Sequence, residues 1–96
     1  MKILRIPENE HDALSLLKEK SFRENHYFSI NYNDMKHNDK DNYYTITSKN
    51  GKTAYLRYKN GLSITRNGEK TISLKGMNED EFGKLCNKYW GNDKRQ

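Results

Sequence analysis

The side chains able to do acid–base, nucleophilic or metal chemistry are few in this chain, and they are scattered. His11, His26 and His37 are the histidines, and Cys86 is the one cysteine. None has a neighbour at CxxC or HExxH spacing, so no metal ligand set is expected. Asp34, Asp39 and Asp41 resemble a calcium loop only in their closeness, because the glycine and the closing glutamate of such a loop are missing. No Ser/His/Asp order and no glycine-rich phosphate loop occurs, so no catalytic residue and no cofactor is assigned. One catalytic grouping survives: His26 or His37 with Arg57 and a tyrosine could cleave RNA by metal-independent acid–base transfer. That reading, a small toxin-type ribonuclease, is an alternative. The leading expectation is a non-catalytic binding protein.

Charge gives that expectation its location. Residues 43–76 carry Lys49, Lys52, Arg57, Lys59, Arg66, Lys70 and Lys75 against Glu69 alone, while the flanking segments are close to neutral. The net charge of +5 therefore belongs to one stretch of the chain. A localised basic surface attracts nucleic acid or an acidic protein face and speeds association with either. The same stretch contains Tyr43 and Tyr55, whose rings can stack on bases. The expected binding residues are Tyr43, Lys52, Tyr55, Arg57, Lys59, Arg66 and Lys70. Structure explains some of these residues without any function, since Thr and Tyr are good strand formers and lysine protects sheet edges.

These residues need a scaffold, and the sequence predicts an α+β one. Three Asn-Gly pairs, Asn50-Gly51, Asn60-Gly61 and Asn67-Gly68, separate short alternating runs, which is a hairpin signal repeated three times. Read as three-residue bulged loops, the turns pair Ile46 with Ala54, Tyr44 with Leu56, Leu56 with Ile64, Tyr58 with Leu62, and Leu62 with Ile72. A slip of one residue would send the apolar set to solvent. Tyr44, Ile46, Ala54, Leu56, Tyr58, Leu62, Ile64, Ile72 and Leu74 then face inward. Tyr43, Thr45, Thr47, Thr53, Tyr55, Arg57, Lys59, Ser63, Thr65, Thr71 and Ser73 face outward. In this register Tyr55 lies between Thr45 and Thr65, and Arg57 between Tyr43 and Ser63.

Around this antiparallel meander of four to five short strands, other elements are expected. Ile3, Leu4 and Ile6 form a brief strand or a packed lead-in. Asn9 caps a leucine-rich helix running to about Arg23. Tyr27 to Tyr32 alternates as a strand, and 33–42 reads as a polar, mobile loop. Asn78 and Glu81 make a capping box for a second amphipathic helix bearing Phe82, Leu85, Cys86 and Tyr89, which Gly91 stops. That helix should cover the apolar sheet face, with Trp90 as an anchor and 92–96 as a frayed tail.

Ninety-six residues suit one domain, 1–96. An apolar share of 32% and no valine make the core lean; with an uncovered strand edge, that leaves room for a homodimer. A lone cysteine suits a reducing compartment, and no apolar run approaches membrane-spanning length, so a cytoplasmic protein without membrane contact is expected. No small-molecule substrate is indicated. The asparagine and lysine load suits an AT-rich genome, such as a low-GC bacterium or its phage.

Four resemblances of outline follow from this pattern. Helix, three strands and helix is the order of double-stranded-RNA-binding domains, but Glu79, Asp80 and Glu81 occupy the turn where those domains place phosphate-contacting lysines. Residues 43–89 are similar in outline to the amino-terminal DNA-binding domains of some integrases, which read DNA with an exposed sheet face. The size, basic charge and MKI-type start resemble RelE-like ribonuclease toxins, without their arginine-rich strand in the run Tyr55 to Lys59. Size and composition are also similar to small phage inhibitors of host defence nucleases, anti-CRISPR proteins among them. That resemblance implies the remaining alternative, inhibition of a nucleic-acid-handling protein by direct docking.

Overall fold

The computed structural model describes residues 3–31, 35–58 and 61–91. Three helices and five strands follow one another as α1 (Glu10–Lys18), α2 (Lys20–Asn25), β1 (Lys36–Asn38), β2 (Tyr43–Thr47), β3 (Thr53–Tyr58), β4 (Leu62–Thr65), β5 (Ile72–Ser73) and α3 (Glu79–Trp90). The strands form one antiparallel sheet in sequence order, a meander. The expected α+β architecture is the one observed.

Two of the three hairpins have the expected register. Ile46 faces Ala54 and Tyr44 faces Leu56; Leu56 faces Ile64 and Tyr58 faces Leu62. In the first turn the Gly51 amide donates to the Ser48 carbonyl at 3.0 Å, and Gly51 has φ 91. This is the bulged turn in which a left-handed glycine avoids a Cβ clash. The third hairpin differs. Ile64, not Leu62, faces Ile72, and the Leu74 amide donates to the Leu62 carbonyl at 2.8 Å. Here Asn67-Gly68 forms the middle of a four-residue turn closed by the Glu69 amide on the Arg66 carbonyl. The connection is longer and the register moves by two. Because two is the side-chain period, every residue keeps its expected face.

The inner face is apolar. Ile46, Ala54, Leu56 and Ile64 are fully buried, and Leu62 and Leu74 nearly or completely so. Tyr58 is the exception: it has the parity of the core but is 42% exposed. It lies at the far end of β3 from Ala54, and helix α3 leaves it uncovered.

Helix α3 keeps its expected start and end. The Asn78 side chain accepts from the Glu81 amide, and Glu81 accepts from the Asn78 amide in return, satisfying two donors the first turn would leave open. Phe82, Cys86, Tyr89 and Trp90 are buried against the sheet. The Trp90 indole N–H donates to the Ile46 carbonyl at 2.9 Å, so the helix end is hydrogen-bonded to β2. Gly91 is needed for space, not for φ, which is −66°: a Cβ there would sit 2.3 Å from the Asn87 carbonyl oxygen.

Three expectations in the N-terminal half need correction. The helix expected to run to Arg23 breaks at Glu19, whose ψ of 121° is extended. The phase of the apolar residues explains the break. Ala13, Leu16 and Leu17 are buried, but a continuous helix would carry Lys20, Ser21 and Glu24 onto that stripe. Restarting the helix one residue later turns Phe22 inward, where it is 3% exposed. Residues 27–31 are not a strand in a ladder. Tyr27 is exposed with φ 58, and Phe28 makes a single bridge to Gly91. Phe28 and Ile30 are still buried, so the alternation was real although the pairing was not. The segment 33–42 is not all loop: Lys36–Asn38 is the edge strand β1, and the Asp41 amide is capped by the Asn38 side chain at 3.0 Å. An edge strand can be this polar because solvent covers it.

The lead-in is not a strand either, and Ile3 is 86% exposed. It is held by Arg5. The Arg5 amide donates to Glu79 at 2.7 Å, the Glu79 amide donates to the Arg5 carbonyl at 2.7 Å, and the guanidinium spans Glu79 and Glu19. One side chain thus joins the N-terminal segment, the α1–α2 break and the start of α3.

Candidate nucleic-acid interface

All three helices lie on the inner side, so the other face of the sheet is open. Strand parity arranges that face in rows. Lys36, Thr45, Tyr55 and Thr65 form one row; Asn38, Tyr43, Arg57, Ser63 and Ser73 form the next; Thr47 and Thr53 form a third. Tyr55 lies between Thr45 and Thr65, and Arg57 between Tyr43 and Ser63, as the sequence implied.

The aromatic and cationic side chains meet at the centre. The Tyr43 and Tyr55 rings pack edge to face, with centroids 5.6 Å apart and planes at 90°. The Arg57 guanidinium carbon stands 5.6 Å from the Tyr43 centroid, a cation–π distance that holds the long side chain over the ring. These three, with Thr65, Asn67 and Thr71, line a shallow depression of about 350 Å³. Hydroxyl contacts fix its wall: Thr65 and Thr71 Oγ1 are 2.8 Å apart, and Asn67 Nδ2 donates to the Tyr55 hydroxyl at 3.4 Å. The third turn therefore supplies part of the site, and its two-residue displacement is what sets Thr71 against Thr65.

Charge is distributed unequally between the faces. Among the described residues, no outward strand position carries a carboxylate, and no carboxylate pairs with Arg57. The acidic groups of the meander sit in turns instead. Asp39 Oδ1 is 2.5 Å from His37 Nδ1, and Glu69 meets both Arg66 and Lys88 at 3.8 Å. Hydrogen bonds that the imidazole donates to Asp39 first, then to Asn42, raise the His37 pKa above its ordinary value.

Of the seven expected site residues, Tyr43, Tyr55 and Arg57 come together here. Lys59 lies outside the described residues. Lys52 belongs elsewhere: its Nζ donates to the Gly91 carbonyl at 3.2 Å, at the end of α3, where a cation complements the helix dipole. Arg66 leans toward Glu69 beside α3, and Lys70 is exposed on the same connection. Lys36, Asn38 and Asn67 were missed, and Thr65 and Thr71 were placed on the outer face but not among the binding residues. Lys36 and Asn38 required β1 to be seen as a strand, and the only signal was a faint alternation with Met35 and His37.

The histidines are not brought to Arg57. His37 packs at a tilt against Tyr44, an inward-parity residue, with ring centroids 4.6 Å apart. His26 packs between Phe22 and α3, where a Cβ on Gly83 would sit 2.3 Å from its ring. By strand parity His37 lies on the inner face, and His26 packs among the helices, so neither shares the face that carries the tyrosine–arginine cluster. Cys86 is buried, which pushes its thiol pKa well up. Among the described residues there is no cluster of three or more potential metal ligands, and no helix is long and apolar enough to cross a membrane. No protein-family model matches the chain, and neither does any curated protein or solved structure.

Proposed function

We propose that this protein works by binding nucleic acid on the open face of its sheet, without catalysing a reaction. The observation that carries the reading is the cluster of Arg57, Tyr43 and Tyr55 in a hydroxyl-lined depression. A guanidinium paired with no carboxylate among the described residues supplies phosphate contacts, and aromatic faces supply stacking. The absence of carboxylates from the described outward strand positions supports the same reading, since a phosphate backbone meets no repulsion there. The work belongs in the cytoplasm, where a lone, buried cysteine such as Cys86 is at home.

Fluorescence anisotropy with labelled oligonucleotides tests the proposal. Affinity should fall as salt rises, with the modest slope that few phosphate contacts give, and Arg57→Ala should weaken binding by about 1–3 kcal/mol. Tight binding indifferent to both salt and Arg57→Ala would place the contact elsewhere. No binding to any nucleic acid, together with a stoichiometric complex with a nucleic-acid-handling enzyme, would replace this reading by the inhibitor one.

A further inference from the structure

Resting on that reading, we infer that the depression between Tyr43, Tyr55 and Arg57 takes an unpaired base of a single strand, with an adjoining phosphate on Arg57. Duplex is a poor ligand for this face. Three observations lead here.

The first is shape. Reading a duplex needs an element that protrudes into a groove roughly 12 Å wide. The site is instead a recess on a sheet face, with short Thr65 and Thr71 at its wall. Its volume of about 350 Å³ is near the lower end of small-molecule sites, ~300–1,000 Å³. That suits one base and its phosphate.

The second is charge density. Duplex affinity without base readout grows with the number of phosphates neutralised, because each contact releases condensed counterions. Among the described outward strand positions only Lys36 and Arg57 are basic. So sparse a set gives little hold on a duplex backbone, and stacking has to supply the rest. Stacking is available only to a base outside a helix.

The third is preorganisation. The edge-to-face contact fixes the Tyr43 ring against Tyr55, and Asn67 holds the Tyr55 hydroxyl from the turn. Arg57 is already seated over Tyr43, so phosphate and base contacts are adjacent before ligand arrives. Thr65, Thr71 and Asn67 offer donors and acceptors to the edge of a base in the recess.

The test compares labelled probes of one length, about ten nucleotides, within the site sizes of single-strand binders. They are mixed-sequence DNA and RNA strands, an abasic strand with the same phosphates, and a blunt duplex. A mononucleotide serves as competitor. A DNA or RNA strand should bind at least roughly tenfold tighter than both the abasic strand and the duplex. Tyr43→Leu, shown folded by circular dichroism, should lose about tenfold of that affinity, and Tyr43→Phe should keep it. Equal affinity for duplex or abasic strand, still dependent on Arg57, would overturn this inference and leave the nucleic-acid reading standing. Competition by the mononucleotide at the strand's own half-saturating concentration would also overturn it, making the recess a site for free nucleotides. Failure of every probe would remove both readings. The abasic and duplex comparisons use the unmodified protein, so they decide the matter even if Tyr43→Leu does not fold.

Discussion

The two faces of the sheet are made by the same strands and differ in almost every property. Inward, Tyr44, Leu56, Ile64 and Ile72 form one row and Ile46 and Ala54 another, under α1 and α3. Outward, the residues between them are Thr45, Tyr55 and Thr65 beside Tyr43, Arg57 and Ser63. The inner face carries the fold's stability through burial. The outer face carries little of it, because threonine, serine and tyrosine satisfy strand preference without being covered. Side-chain alternation thus lets one element hold the molecule together on one side and present ligand-competent groups on the other. A lean core makes the division strict: Leu56 cannot be spared, whereas Thr45 can.

The sharpest way to break the comparison is to truncate the two faces at neighbouring positions. Leu56→Ala removes a fully buried side chain and should cost about 2–5 kcal/mol in urea unfolding. Thr45→Ala, one strand away and outward, should stay within about 1 kcal/mol. Comparable losses at the two sites would mean that the outer face is also core, covered by something that binds it.

A smaller effect is expected where α3 meets the N-terminal half. Gly83 lies under the His26 ring, and an added methyl would sit 2.3 Å from it. The ring is held by Nδ1 at 2.9 Å from the Phe22 carbonyl, so it cannot simply swing away. Gly83→Ala should destabilise by about 1–3 kcal/mol through overpacking, although alanine is the better helix former. A gain in melting temperature would show that His26 is free to move and that the helix layer is looser than the geometry implies. Nucleic-acid affinity of the folded variant should not change, since the sheet lies between.

The division of faces was legible before the structure because it depends on parity alone. Alternation in 43–74 identified the core, and the same alternation placed Tyr43, Tyr55 and Arg57 together. What parity could not supply was turn geometry and edges. Asn-Gly fits both a bulged loop ending in glycine and a longer connection whose turn is centred on it; Gly51 takes the first, Gly68 the second, and only side-chain contacts such as Thr65 with Thr71 separate them. Strand β1 escaped notice because an edge strand with Lys36 and Asn38 outward has no apolar signature. Lys52 looked like a ligand-binding lysine because sequence cannot show that the end of α3 lies within its reach. The break at Glu19 was visible in principle, since Phe22 is out of phase with Leu16 and Leu17, but helix propensity concealed it.

Acid titration offers a milder test of the same contrast. Glu19 is held by two hydrogen bonds from the Arg5 guanidinium, at 2.6 and 2.9 Å, and these lower its pKa below the ordinary 4.5. A carboxyl whose folded pKa is depressed binds fewer protons when folded than when unfolded. Its contribution is therefore fully present above the unfolded value and disappears as pH falls through the folded one. Because the pair is largely solvent-exposed, that contribution should not exceed about 1 kcal/mol. Stability measured by urea unfolding should decline below about pH 4.5, and Glu19→Gln should flatten part of that decline. The outer face has no comparable group: its described strand positions carry no carboxylate and no histidine. Affinity for a single strand should then be level between about pH 5 and 8, the interval in which histidine titrates. A binding curve that tracked this interval would implicate His37, the histidine carried by the sheet. It would mean that β1 couples the two faces, and the independence of binding from the helix side would be lost.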